Sequence, residues 1–260
     1  MDGRRGPEEG DAFGEALLAV LEERTAERVV ERDDGLVEFD TFDYFSPPTG
    51  ELWDWMIPRL GRRVLDIGAG AGRAAMALAK LGHEVVALDV SPGAVEVCRR
   101  RGVSQTFLGT VVDLAHTKPE PFDSFIGLGN DLSFLGSRSG AVEFLDTLSA
   151  MSQPGANLVG TMLDPSDTDD PLHLAYQRAN CAEGRLGGQV RFRVRFQRLA
   201  TPWYSHLWAS REELATLAAS AGWAVVETTP GVIYGAELRP VGYWPVRRGL
   251  ARPAARYRPA

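Results

Sequence analysis

The chain has 260 residues, 44% hydrophobic and 24% charged, which is the balance of a globular protein with a sizeable core rather than of a disordered or fibrous one. Its formal net charge of −7 disfavours nucleic acid as the main partner, since neutralising phosphates needs a basic face. No apolar run approaches the ~20 residues of a membrane helix, and the two cysteines, Cys98 and Cys181, are too few for a disulfide framework or a metal cluster.

The first ten residues lack the apolar core of a signal peptide, so the expected compartment is cytoplasmic and reducing, with no metal and no membrane partner. Residues 1–13 are polar and charged and read as a disordered tail. From Glu15 to Val30, Leu17, Leu18, Leu21, Val29 and Val30 fit an amphipathic helix that Asp33-Asp34-Gly35 ends. Leu36 to Phe45 is aromatic and extended, and Pro47-Pro48 closes it. A second helix, about Gly50 to Arg59, carries Leu52, Trp53, Trp55, Met56 and Ile57 towards the first sheet strand. Residues 14–59 thus form N-terminal helices and an aromatic segment.

The pattern then alternates strand and helix. Arg63 to Ile67 is a buried strand, and three glycines on alternate positions, Gly68, Gly70 and Gly72, follow it before a helix from Arg73 to Leu81. Glycine lets the backbone turn tightly and lets a ligand approach, and the helix start offers N–H groups to an anionic ligand group. The spacing is G-x-G-x-G, not the G-x-G-x-x-G of a dinucleotide fingerprint. Asp66, two residues before the first glycine, would repel a pyrophosphate and welcome an ammonium. A second strand, Glu84 to Leu88, ends at Asp89, placed where an acid accepts hydrogen bonds from ribose hydroxyls. Ser91-Pro92 starts the next helix as N-cap and first residue, and Cys98 packs within it. Strand three lies about Ser104 to Leu108, strand four at Phe122 to Leu128, a helix at Ala141 to Met151, and strand five at Asn157 to Leu163.

Beyond Leu163 a helical stretch, Leu172 to Arg178, precedes a strictly alternating strand, Gln189 to Leu199, with Val190, Phe192, Val194 and Phe196 on one face and Arg191, Arg193 and Arg195 on the other. Trp203 to Trp208 pairs back as a hairpin. The arginine row is either a solvated face or a clamp for a carboxylate or phosphate. Ser210-Arg211-Glu212-Glu213 is a capping box, and the helix it opens leads to strands at Trp223 to Thr228 and Val232 to Leu238. Residues 241–260 form an arginine- and proline-rich tail.

The stretch from Val64 to Arg73 resembles the glycine loop, D/E-x-G-x-G-x-G, of the class I S-adenosylmethionine-dependent methyltransferases, small-molecule type. The resemblance covers about residues 60–163 and 209–240. It implies an α/β, Rossmann-like fold: a mostly parallel seven-stranded sheet with an antiparallel C-terminal hairpin, spanning residues 60–240; N-terminal helices precede it, and residues 164–208, where the chain stops resembling the minimal fold, read as an inserted antiparallel substrate cap. It implies S-adenosylmethionine as cofactor, held by Asp66, Gly68, Ala69, Gly70, Gly72, Arg73, Asp89 and Val90, by Asp113 and Leu114 in the loop after strand three, and by Gly129 and Asn130. Asp131 then faces the transferring methyl group, and the segment before the glycine loop forms a lid that brings Tyr44 to the sulfonium or substrate, or merely packs there. The absence of an Asp/Asn-Pro-Pro-Tyr/Phe motif after strand four argues against nucleic-acid adenine or protein glutamine as acceptor.

Base candidates are His206, Asp131 and His173. His206 alternates with Tyr204 and Trp208 and can titrate near neutrality, although it can equally be a buried structural histidine. Substrate contacts are expected from Tyr44, Asp131, His173, Tyr176, Arg193, Tyr204 and His206. The implied reaction is methyl transfer to an O or N nucleophile of a small metabolite, by analogy a secondary metabolite, in a monomer or homodimer. The alternatives are a protein that binds the cofactor structurally while catalysing another reaction or regulating a partner, and a nicotinamide-dependent oxidoreductase, which the glycine spacing and Asp66 disfavour.

Overall fold

A computed structural model describes residues 7–24, 27–40 and 42–241. The chain opens with β1 (Glu8–Glu9) and α1 (Ala12–Leu21), whose N-cap Asp11 accepts the Gly14 N–H at 2.9 Å. β2 (Val29–Arg32) and β3 (Val37–Phe39) then pair antiparallel across the Asp33-Asp34-Gly35 turn. Two expectations change here. Residues 7–13 of the predicted tail supply β1 and the capped start of α1, while 1–6 lie outside the described residues. The helix predicted to Val30 stops at Leu21, because Val29 and Val30 pair with Arg195 and Val194 of a distant strand, and β-branched residues with a sheet partner take the extended form.

α2 (Glu51–Met56) continues through a 3-10 turn at Ile57–Arg59 into β4 (Arg63–Ile67), α3 (Arg73–Lys80), β5 (Glu84–Asp89), α4 (Pro92–Arg100), β6 (Thr106–Leu108), α5 (Val111–His116), β7 (Phe122–Gly127), α6 (Arg138–Ala150) and β8 (Ser152–Leu163). Next come α7 (Pro171–Ala182), β9 (Gln189–Phe196), β10 (Leu199–Ala200), β11 (Tyr204–Leu207), α8 (Arg211–Ser220), β12 (Trp223–Thr228) and β13 (Ile233–Pro240). Ser91 caps α4 as predicted, and Ser210 with Glu213 makes the capping box of α8. The predicted basic tail lies outside the described residues from 242 onward.

The larger sheet has the order β12-β13-β8-β7-β4-β5-β6, with β4 to β8 parallel and β13 and β12 antiparallel. Alternation along β4 sends Leu65 and Ile67 to one core, with Phe122, Phe125, Leu145 and Trp223, and Val64 to the other, with Leu78, Met56 and Ile126. Each such apolar side chain contributes about 2 kcal/mol through burial. The strand order reverses between β4 and β7, and in open α/β sheets the crevice beyond the strand ends at such a reversal is where ligands bind.

A second sheet has the order β1-β10-β9-β2-β3, with β11 on the first half of β9. It therefore unites the N-terminal segment with the segment expected as a separate insertion. Long-range pairing of this kind leaves no local sequence signal, which is why β2 reads as helix.

Candidate active site

The site is built where β4, β5 and β7 end. Gly68, Gly70 and Gly72 have φ of 72°, 55° and 76°, the left-handed region that disfavours side chains. The N–H groups of Gly68 and Ala69 donate to Leu88 O at 2.9 and 3.0 Å, which holds the loop on the end of β5. Asp89 reinforces it: Oδ2 accepts the Gly70 N–H at 2.9 Å and Oδ1 accepts the Ser91 N–H at 2.9 Å. Asp66 points to the α3 side and accepts the Ala75 N–H at 3.1 Å.

Three carboxyl groups thus share one buried field. Burial, and then the neighbouring Asp89, push Asp66 up to about 7 against the pull of the Ala75 N–H. Burial likewise raises Asp89. Asp131, in the 3-10 turn Asp131–Leu135 after β7, is raised by burial first and by Asp66 and Asp89 next. Its Oδ2 lies 3.4 Å from where a Gly68 Cβ would stand, so β4 and β7 bring the two together. Asn130 precedes it with φ 71°; its N–H donates to Thr161 Oγ1 at 2.8 Å, and its buried Oδ1 has no hydrogen-bond partner. Arg73 is the cation closest to this group among the described residues, and burial lowers its pKa while Asp43, Asp131 and Asp66 oppose that.

The segment after β3 lies over the loop. The Tyr44 ring comes within 3.3 Å of a Gly70 Cβ position, and Phe42 within 3.3 Å of that of Gly129. Tyr44 packs edge-on against Phe13 and Phe42, its hydroxyl donates to Asp40 Oδ2 at 3.3 Å, and burial raises the phenol. Arg28 fixes one end of the segment, pairing with Asp40 at 3.0 Å and donating to Phe42 O at 3.1 Å. Arg101 fixes the other, donating to Phe45 O at 2.7 Å and to Ala71 O of the glycine loop. The guanidinium of Arg73 sits 4.6 Å over the Phe42 ring.

β11 brings His206 to the other side of the cleft. Its Nδ1 is 2.5 Å from Ser133 Oγ, and its ring packs against Phe134, Phe192 and Tyr204 with centroid distances of 5.2, 4.7 and 5.2 Å. Phe134 touches the Gly68 position, which links this aromatic group to the glycine loop. Burial lowers the imidazole to about 4, the direction of a buried structural histidine rather than of one that titrates near neutrality. Ser133, Phe134, Phe42, Asp40 and the two arginine clamps carry no sequence motif; only the 3-10 turn and the second sheet assemble them.

The remaining expected residues are distributed differently. Asp113 is in the first turn of α5 rather than in a loop, exposed, with Oδ2 accepting the N–H and hydroxyl of Thr110. Leu114 is buried in the core beneath it, and Val90 stands exposed beside Asp89. Arg193 pairs with Glu31 at 2.9 Å and lies over the Trp203 ring, a fastening role within the second sheet. The Tyr176 hydroxyl donates to Asp33 at 2.7 Å, with Arg32 stacked on its ring, so it too is engaged within that unit. His173 lies half-buried on α7, apart from the His206 group.

Strand order, glycine loop and terminal hairpin together define a class I methyltransferase fold. Residues 64–155 match the family model described as a methyltransferase domain, and the α/β domain has the class I methyltransferase fold. Among solved structures, an S-adenosylmethionine-dependent methyltransferase from Bacteroides fragilis in complex with S-adenosylhomocysteine superposes with a TM-score of 0.74, at 21% identity over 90% of this chain and 97% of that one. The CcbJ methyltransferase from Streptomyces caelestis superposes at 0.58, with 18% identity over 78% and 94% of the two chains. A ubiquinone biosynthesis O-methyltransferase from Xylella fastidiosa is 36% identical over 73 residues, which are 26% of this chain and 30% of that protein. The match thus spans under a third of the length of such curated relatives. Among the described residues no helix is long and apolar enough to cross a membrane, and no cluster of histidine, cysteine and acids could hold a metal.

Proposed function

We propose that this protein transfers a methyl group from S-adenosylmethionine to an oxygen or nitrogen nucleophile of a small metabolite. The observation that carries the reading is the group of Asp66, Asp89 and Asp131 around a left-handed glycine loop, with Arg73 as its nearest cation. A buried site with this excess of acid favours a ligand with a sulfonium and an ammonium, and repels a pyrophosphate.

The residues present fit that cofactor. A side chain on Gly68 or Gly70 would crowd against Phe134 or Tyr44 at the loop, Asp89 keeps acceptor capacity for ribose hydroxyls, and the unpartnered Asn130 Oδ1 is an acceptor for an ammonium. Val90 and Asp113, both exposed, stand for the adenine end, while Leu114 packs in the core. When bound, the cofactor supplies an electrophilic methyl group on a sulfonium. The chain's own work is to hold the acceptor in line and to exclude water. Tyr44 and Phe42 roof the loop; Phe134, Phe192, Tyr204 and His206 wall the acceptor side as part of a substrate cap. A roofed cleft of this kind suits a small molecule better than a macromolecule. Cys98 and Cys181, both unpaired, suit a cytoplasmic setting.

Calorimetric titration with S-adenosylmethionine, S-adenosylhomocysteine and NADH tests the cofactor. Binding of the sulfur ligands in the micromolar range, about −8 kcal/mol, and its loss in Asp89→Ala at an unchanged fold by circular dichroism, are expected. Binding of NADH alone, or of none of the three, would overturn the reading. Mass-shift screening of candidate acceptors then tests the transfer itself.

A further inference from the structure

Asp131 differs from every other acid at the cleft. Asp66 accepts from Ala75, and Asp89 from Gly70 and Ser91. Asp40 accepts from Arg28, Phe42 and Tyr44, and Asp43 from Phe45 and Ser46. Among the described residues, no hydrogen bond reaches the Asp131 carboxylate, which faces burial and the charges of Asp66, Asp89 and Arg73. Asp131, Phe134, Phe192, Tyr204 and His206 are all half-buried rather than sealed in the core. The arginines nearby are already employed: Arg28 on Asp40, Arg193 on Glu31, and Arg73 stacked on Phe42.

We propose that the methyl acceptor is an amine that enters as an ammonium on an apolar or aromatic body, and that the Asp131 carboxylate receives both this ammonium and its proton. The proposal rests on the methyl-transfer reading and names the substrate class of that same site. Charge excludes the alternatives. An acceptor carrying a carboxylate or phosphate would meet Asp66, Asp89 and Asp131, with Arg73, stacked on Phe42, as the cation acting there. An ammonium meets an unpartnered carboxylate with the Phe134 ring beside the same Gly68 position, and aromatic rings attract cations.

Proton accounting also favours an amine. Transfer from ammonium to carboxylate turns two buried charges into two neutral groups, which a low-dielectric site favours. Transfer from a phenol would leave an anion beside Asp66 and Asp89, and an alcohol is too weak an acid for a carboxylate base. The proton moves from nitrogen to Asp131. The nitrogen lone pair then forms the bond to the methyl carbon while the carbon–sulfur bond breaks with its electron pair left on sulfur. The product leaves as a methylated ammonium, and Asp131 returns its proton to solvent. The groups facing Asp131 that set its proton affinity are Asp66 on β4, Asp89 on β5, Arg73 on α3 and Tyr44 in the roof.

The test is calorimetry on protein saturated with S-adenosylhomocysteine, so it reads binding rather than turnover. The probes are benzylamine, phenethylamine and tryptamine, each with the matched alcohol and carboxylic acid. At least one amine should bind at least tenfold more tightly than both its partners, and Asp131→Asn, likewise saturated with S-adenosylhomocysteine, should erase that preference. If no amine out-binds its partners, or if Asp131→Asn keeps the preference, the proposal fails although the cofactor reading stands. If S-adenosylhomocysteine itself does not bind, both fail.

Discussion

Asp11 accepts the hydroxyl of Ser91 at 2.8 Å across 80 residues of sequence. The same carboxylate takes the Gly14 N–H at 2.9 Å and the Gly93 N–H at 2.7 Å, so one side chain caps α1 and also reaches the first turn of α4. Ser91 in turn donates its N–H to Asp89. The N-terminal helix is thereby tied to the acid proposed to bind ribose. The helices meet closely: a Cβ on Gly14 would lie 2.6 Å from Gly93 Cα. Losing one cap costs about 1 kcal/mol, so Asp11→Ala, which removes the cap of α1 and also the acceptor of the Gly93 N–H and Ser91 hydroxyl at the start of α4, should cost about 2 kcal/mol. For a chain of this size that lowers the melting temperature by roughly 4–8 °C, as differential scanning calorimetry would read.

Crowding and backbone strain can be separated on the glycine loop. An alanine at Gly68 must hold φ near 72° and would place its Cβ 2.6 Å from Phe134 Cε2. An alanine at Gly35 holds φ near 90° with nothing within 4 Å. The left-handed conformation alone costs about 1–2 kcal/mol. Gly35→Ala should therefore lose about that much stability and no cofactor affinity. Gly68→Ala should lose more than tenfold in S-adenosylhomocysteine affinity, and adding Phe134→Ala should restore part of it, because it relieves the clash but not the strain.

What was legible in the sequence is what is local. The strand before Gly68, the caps at Ser91 and Ser210 and the hairpin of β12 and β13 each rest on residues within a few positions of one another. β2 was not legible, since Val29 and Val30 are extended only because β9 lies beside them more than 160 positions on. The candidate site divides in the same way. Asp66, Asp89 and the glycines announce themselves by spacing. Ser133 and Phe134 matter through His206, a neighbour that only the second sheet supplies, and Asp113 looks like a loop acid until its capping bonds to Thr110 are seen.

Asp66 makes the protein sensitive to pH. Its folded pKa of about 7 lies above that of an ordinary carboxyl, so between pH 4 and 7 the folded state holds a proton that the unfolded chain releases. Its contribution to stability is therefore greatest below the usual carboxylate range and is lost as pH rises through about 7. A cationic ligand reverses the preference, because it favours the ionised form. S-adenosylmethionine affinity should rise by up to about tenfold per pH unit below 7 and flatten above it, with proton release measurable by calorimetry in two buffers. Asp66→Asn should flatten the profile.

His206 has the opposite sign. Burial lowers it to about 4, below the ordinary histidine range, so between about pH 4 and 6.5 the unfolded chain binds a proton that the folded state refuses. Its contribution is fully present above 6.5 and is lost as pH falls towards 4. The stability difference between the wild type and His206→Gln should accordingly shrink as pH falls through that window in denaturant titrations. The NMR signal of its ring should not titrate above pH 5. A group that stays neutral throughout the working range cannot produce a rate limb near 6.5. Any such limb in methyl transfer should survive in His206→Gln, and its disappearance there would show that the imidazole ring titrates in the working enzyme after all.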